Sequence, residues 1–212
     1  MQNKDIYLNV ASSDVVLEGY INYDFHPLLP FSKLPVPASL FFKYSSFINR
    51  FRAARKIADI KFHNCKRKLP HADGTVSHIL CSHFLEHNYI DEVRTVLNNF
   101  NRVLKVGGTL HIIVPDLDVY VEKYLKERNS DNEAALKFCT STILTLSKSP
   151  SPLYRFLSFI GVFGLKHDIM FNRSLLKKEI LGAGFEEVPR EATPSSDYQL
   201  NDGFLHFFAK KL

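Results

Sequence analysis

The chain has 212 residues, 45% of them hydrophobic, which is enough to bury the core of an α/β domain and too polar for a membrane bundle. A formal net charge of +5 is mild, and the three cysteines (Cys65, Cys81, Cys139) lack metal-type or redox-type spacing, so reduced thiols are expected and no metal set is. The start, MQNKDIYLNV, lacks the charged-then-apolar order of a secretion signal, and the apolar run at 156–165 is too short to cross a bilayer. These features predict a cytoplasmic protein.

The first strand is predicted over 6–10 and the second over 20–24 (YINYD). Only nine residues, 11–19, join them, which leaves no room for a full crossover helix if the two are parallel. Four prolines between 27 and 37 mark an extended loop, and a helix with one apolar aromatic stripe and one basic face is predicted over 39–58. That helix either packs on the sheet or presents its basic aromatic face to anionic lipid as a peripheral membrane contact. A third strand is expected at 60–64, and the Lys66-Arg67-Lys68 cluster after it reads as a solvated patch. With no appended RNA-binding module, nucleic acid is not an expected partner.

Ile79, Leu80 and Cys81 form a short apolar strand, followed at once by the polar residues Ser82, His83, Glu86 and His87. Ile90, Val93, Leu97, Phe100 and Leu104 have the spacing of a buried helix face, and Gly107-Gly108 are expected to cap that helix at its C-terminus. Leu110 to Val114 is a further strand, ending at Pro115-Asp116, with Asp116 read as a cap for a helix over 118–126. Ser130 and Glu133 suggest a capping box opening a helix to about Leu146. A Pro/Ser linker (147–152) and an apolar lid helix (153–165) follow, then His167 as a solvated loop histidine. Asn172 is expected to cap a helix ended by Gly182 and Gly184, before two antiparallel closing strands at 185–188 and 204–210. The resulting fold class is α/β: a doubly wound, mostly parallel sheet with an antiparallel C-terminal strand and helical lid insertions. It reads as one domain over 1–212, with insertions at about 25–58 and 147–170.

Four segments in register, LNVASSDVVLEGYINYD, LPHADGTVSHILCSHFLEH, RVLKVGGTLHIIVPDL and HDIMFNRSLLKKEILGAGF, resemble the class I S-adenosylmethionine-dependent methyltransferases. Within these the chain looks most like a short bacterial group with SSHxLEH and RVLKPGG-like motifs. The resemblance implies a Rossmann-like sheet, S-adenosylmethionine as cofactor, and transfer of its methyl to oxygen or nitrogen of a small molecule such as a saccharide or cell-surface precursor. It further implies that Ala11, Ser12 and Ser13 approach the methionine portion and that Asp24 holds the ribose. Asn64 and Cys65 would flank the adenine, while Ser82 and His83 face the methyl, His83 as general base. Two departures stand out. Ala11-Ser12-Ser13 occupies the family's glycine loop, and Asn64 stands where a carboxylate is usual. They leave a second reading open, a catalytically degenerate methyltransferase-like binding module. A third comes from the residues alone: His83-Phe84-Leu85-Glu86-His87 spells the H-x-x-E-H of inverted zinc peptidases, for which Glu133 would be the remaining ligand.

Overall fold

The computed structural model describes residues 5–26, 29–30, 59–145, 149, 152, 166–196, 198 and 203–212. The basic aromatic helix expected at 39–58 and the lid expected at 153–165 lie outside the described residues, as do most of the two insertions.

Seven strands form one sheet: β1 (Tyr7–Val10), β2 (Tyr20–Asp24), β3 (Ile60–Phe62), β4 (Val76–Ser82), β5 (Leu104–Pro115), β6 (Phe185–Glu187) and β7 (Phe204–Lys211). Their order is β3-β2-β1-β4-β5-β7-β6. β1 to β5 run parallel, whereas β7 is antiparallel to both β5 and β6. The strand order reverses between β1 and β4, the position where open α/β sheets bind ligands at the carboxyl ends of their strands. Register places Val10 opposite Cys81 at that reversal, so Ala11 and Ser82 leave the sheet side by side.

The four helices with described side chains are α1 (Ile90–Val103), α2 (Leu117–Glu127), α3 (Ala134–Ser141) and α4 (Arg173–Gly182). α1 forms because Val93, Val96, Leu97, Phe100 and Val103 fall on one stripe and are all buried. Its first turn is held by Glu92, which accepts the Tyr89 backbone amide at 3.0 Å. Each such side chain contributes about 1.5–3 kcal/mol by leaving water. The α1 stripe, with Leu176 and Ile180 of α4, meets Leu8, Val10, Ile79, Cys81, Leu110, Ile112, Val114, Leu205 and Phe207 on one face of the sheet. The sheet's other face mixes buried Leu80 and Ile113 with the buried polar residues Asn9, Asn22, His78 and His111. Asn9 Nδ2 donates to Asn22 Oδ1 at 2.9 Å across β1 and β2.

The β1–β2 connection, 11–19, contains no helix, as its length requires. Asn172 caps α4 by accepting the Leu175 amide at 3.0 Å, and Asp116 caps α2 by accepting the Asp118 amide at 3.0 Å. Two expected caps are corrected. α1 ends at Val103 and passes directly into β5 through an extended Leu104, with no glycine in the cap. Gly107, at φ +74°, lies within β5, where the β4–β5 register shifts between Val76 and His78. The glycine pair therefore forms an irregularity in a strand instead of a helix stop. Ser130 and Glu133 form no capping box either. Ser130 Oγ donates to Glu127 O, and Glu133 N donates to Asp131 Oδ1. Asp131 takes the amide that Ser130 was expected to serve, so α3 opens only at Ala134.

Candidate functional site

The β1–β2 turn supplies one wall. Ala11 and Ser13 hold φ of +57° and +51°, the conformation that glycine adopts freely. The turn thus has the shape expected of a glycine loop although it lacks glycines, at a cost of about 1–2 kcal/mol per residue. Its neighbours hold it there. Ser12 N donates to Tyr23 O at 2.8 Å, and Ser13 N donates to Asp24 Oδ2 at 2.8 Å. The Ala11 backbone amide is directed at the Cys65 sulfur.

Asp24 ends β2 and is 9% exposed. Its other oxygen, Oδ1, accepts the His26 amide at 2.6 Å. Burial raises its pKa, while the His26 and Ser13 amides pull it back down. Asn64 Oδ1 accepts the Lys66 amide at 3.0 Å, which turns the chain after β3. Cys65 is buried, and desolvation pushes its thiol up to about 12; complete burial drives Cys81 well above its ordinary value. Burial that disfavours the thiolate suits neither to act as a nucleophile. Ala11, Ser12, Ser13, Asp24 and Cys65 are thus brought together by the structure, and Asn64 adjoins them in the chain.

The second wall is the end of β4. Ser82 pairs with Ile113 of β5, and His83 leaves the strand at φ +52°. His83 Nδ1 lies 3.2 Å from Glu86 Oε1, and its ring meets Phe204 edge-on at 4.6 Å. Glu86 is fully buried, while His83 is about one-third exposed. With Nδ1–H donated to the carboxylate, Nε2 is the acceptor atom of the imidazole.

This geometry removes the peptidase reading. H-x-x-E-H needs both histidines on one helix face, but His83 stands at the strand end and only Leu85–His87 form a short 3-10 turn. Glu133 begins α3 and is exposed. His167 is also corrected. It is 7% exposed, and its ring packs 4.8 Å from that of His87.

A buried network was missed by sequence reading. His78 Nδ1 meets Thr109 Oγ1 at 2.8 Å and His78 Nε2 meets Ser195 Oγ at 2.9 Å. Ser195 Oγ also meets His111 Nδ1 at 2.8 Å, and His111 Nε2 lies 3.1 Å from His206 Nδ1. The one signal available was a single histidine inside each of three apolar strands. A groove of about 360 Å³ between α2 and α3 contains none of the expected site residues.

Residues 45–112 match a family model described as a methyltransferase domain. A protein from Pyrococcus horikoshii OT3 shares its fold at 14% identity, with a TM-score of 0.56 over 100% of this chain and 84% of that one. An S-adenosylmethionine-dependent methyltransferase from Methanosarcina mazei gives 14%, 0.50, 100% and 94% for the same measures. Mitomycin 7-O-methyltransferase gives 10% identity and a TM-score of 0.53 over 98% of this chain and 49% of that one. No curated protein matches the sequence. The matched segment is that of a methyltransferase domain, and the neighbouring structures share the fold of the chain. Among the described residues, no helix is long and apolar enough to cross a membrane.

Proposed function

We propose that this methyltransferase domain moves the methyl of S-adenosylmethionine to an oxygen or nitrogen of a small-molecule acceptor at the β1/β4 crevice. The observation that carries the reading is the Ala11–Ser13 turn, which holds glycine-like backbone angles and is tied to the Asp24 carboxylate. The donor set fits the cofactor. Small side chains at 11–13 leave room beside the backbone, and the Asp24 carboxylate, with the Ser13, His26 and Phe25 amides against it, keeps acceptor capacity to spare. Asp24 would receive the ribose hydroxyls, Ala11, Ser12 and Ser13 the methionine portion, Asn64 and Cys65 the adenine edge, and Ser82 the end nearest the methyl. When bound, the cofactor supplies an electrophilic methyl on a sulfonium.

This chain's own contribution is positioning and proton removal. His83 Nε2 would take the proton of the acceptor's X–H as the acceptor's lone pair bonds to the methyl carbon that the cofactor would supply, its C–S bond electrons passing to sulfur to give a neutral thioether. Glu86 orients the ring through Nδ1. Placing nucleophile and methyl in line supplies much of the rate. A saccharide or cell-surface precursor is the acceptor class that the motif resemblance favours.

Calorimetric titration with S-adenosylmethionine and S-adenosylhomocysteine is the test. Micromolar binding that disappears in Asp24→Ala supports the proposal, whereas no binding by the wild-type chain favours a degenerate binding module.

A further inference from the structure

Glu86, His87 and His167 each direct one ligand atom at the others, and the three atoms lie within 4.8 Å of one another. The two histidines have their remaining ring nitrogens engaged by backbone carbonyls. His87 Nδ1 lies 3.1 Å from Lys166 O, and the His167 ring donates to the Thr142 carbonyl. His167 Nδ1 has no partner, so the Thr142 contact belongs to Nε2. With Nδ1–H donated to Lys166 O, His87 keeps its lone pair on Nε2, and His167 Nδ1 is buried with none to serve. Glu86 is fully buried; its Oε1 serves His83, and its Oε2 has no partner. Two buried polar atoms without a hydrogen-bond partner, Glu86 Oε2 and His167 Nδ1, thus belong to the residues of one cluster. Leaving such atoms buried and unsatisfied is costly, so a ligand that meets them is favoured.

A ligating histidine ordinarily donates its second N–H to a backbone carbonyl or carboxylate, which is the arrangement of both rings here. Two imidazoles and one carboxylate suit zinc and its divalent neighbours in the first transition row. Tetrahedral ligands of zinc stand about 3.4 Å apart, so the widest pair of the cluster, at up to 4.8 Å, needs to close by about 1.4 Å. The backbone is already joined across the site. Asp168 N and Ile169 N both donate to Glu86 O, at 2.8 and 3.2 Å, and His167 N donates to Ile143 O at 3.2 Å. His87, only partly buried, leaves a route of entry.

We propose that Glu86, His87 and His167 form a binding site for a divalent transition metal of the zinc class, which fastens the segment at 166–169 to the turn that follows His83. The site takes one residue of the HFLEH histidine pair, not both, and draws its third ligand from 80 residues further along the chain.

The full chain, stripped with a chelator, is titrated with zinc and with cobalt. One equivalent of either metal and visible d–d absorption from cobalt are expected. His167→Gln and Glu86→Gln should lose the absorption while keeping the wild-type far-ultraviolet circular dichroism. His83→Gln, which removes only the contact to the other carboxylate oxygen, should keep the absorption with affinity weakened by about 10- to 100-fold. If a ligand variant fails to fold, X-ray absorption of the wild-type zinc form must still show two imidazole nitrogens. No uptake of either metal, or unchanged absorption in His167→Gln, overturns the proposal, and His167 and Glu86 then share a proton in its place. Metal uptake is read without cofactor or acceptor, so failure here leaves the methyl-transfer reading standing.

Discussion

Asp24 Oδ2 accepts the backbone amide of Ser13 at 2.8 Å, which joins the carboxyl end of β2 to the turn that leaves β1. One carboxylate thus holds the shape of the turn and presents the charge that a ribose would use. Asp24→Ala should abolish cofactor binding and also lower stability, since it strands the Ser13 and His26 amides at about 1–3 kcal/mol each. Asp24→Asn keeps an acceptor oxygen and should retain more of the stability than of the cofactor affinity. Urea unfolding paired with calorimetric titration separates the two effects.

The positive φ at Ala11 makes a second contrast. Ala11→Val puts a β-branched side chain into a left-handed conformation and should cost about 1–2 kcal/mol or more, read as a fall in Tm. Ala11→Gly removes the strain but adds freedom to the unfolded chain, so its net effect should stay within about 1 kcal/mol.

Within β5 the two glycines should respond differently. A Cβ at Gly108 would stand 2.8 Å from Lys105 O and 3.2 Å from Val76 O, both backbone atoms that cannot turn aside. Gly108→Ala should therefore force the β4–β5 pairing apart at a cost of about 1–3 kcal/mol. A Cβ at Gly107 meets nothing within 4 Å, so Gly107→Ala carries only the positive-φ penalty of about 1–2 kcal/mol. Denaturant midpoints rank the pair.

The buried histidines of that sheet face make stability sensitive to acid. Burial holds His78 at about 4 and His111 at about 3, both below the ordinary 6.5. The unfolded chain therefore binds more protons as pH drops below 6.5, and stability falls from there towards those folded values. For His78 alone, the displacement from 6.5 to about 4 corresponds to about 3 kcal/mol. His78→Gln should flatten the loss measured by urea unfolding between about pH 7 and about pH 5.

If His83 is the base, His83→Gln should lower kcat by about 10²–10⁴-fold with little change in cofactor affinity. An unchanged kcat would leave methyl transfer to positioning alone.

Local pattern carries the architecture, because strand and helix periods are written in neighbouring residues. The stripe at Val93, Leu97 and Phe100 announced α1, and the nine-residue gap at 11–19 announced a connection without a helix. Asn172 and Asp116 were legible as caps because each serves an amide two or three residues away. Competition misled elsewhere. Gly107-Gly108 looked like a helix stop, but pairing with β4 draws the chain into a strand immediately after Val103.

The site divides in the same way. Short segments alone suggested the two proposed rims, Ala11–Ser13 with Asp24 and Ser82-His83, because motif and strand end are local features. Packing alone could turn His167 from a solvated loop residue into the buried neighbour of His87, and join Ser195 to two histidines on different strands. Those contacts span 80 to 117 positions in the chain, and no local period records which distant partner will satisfy a buried polar atom.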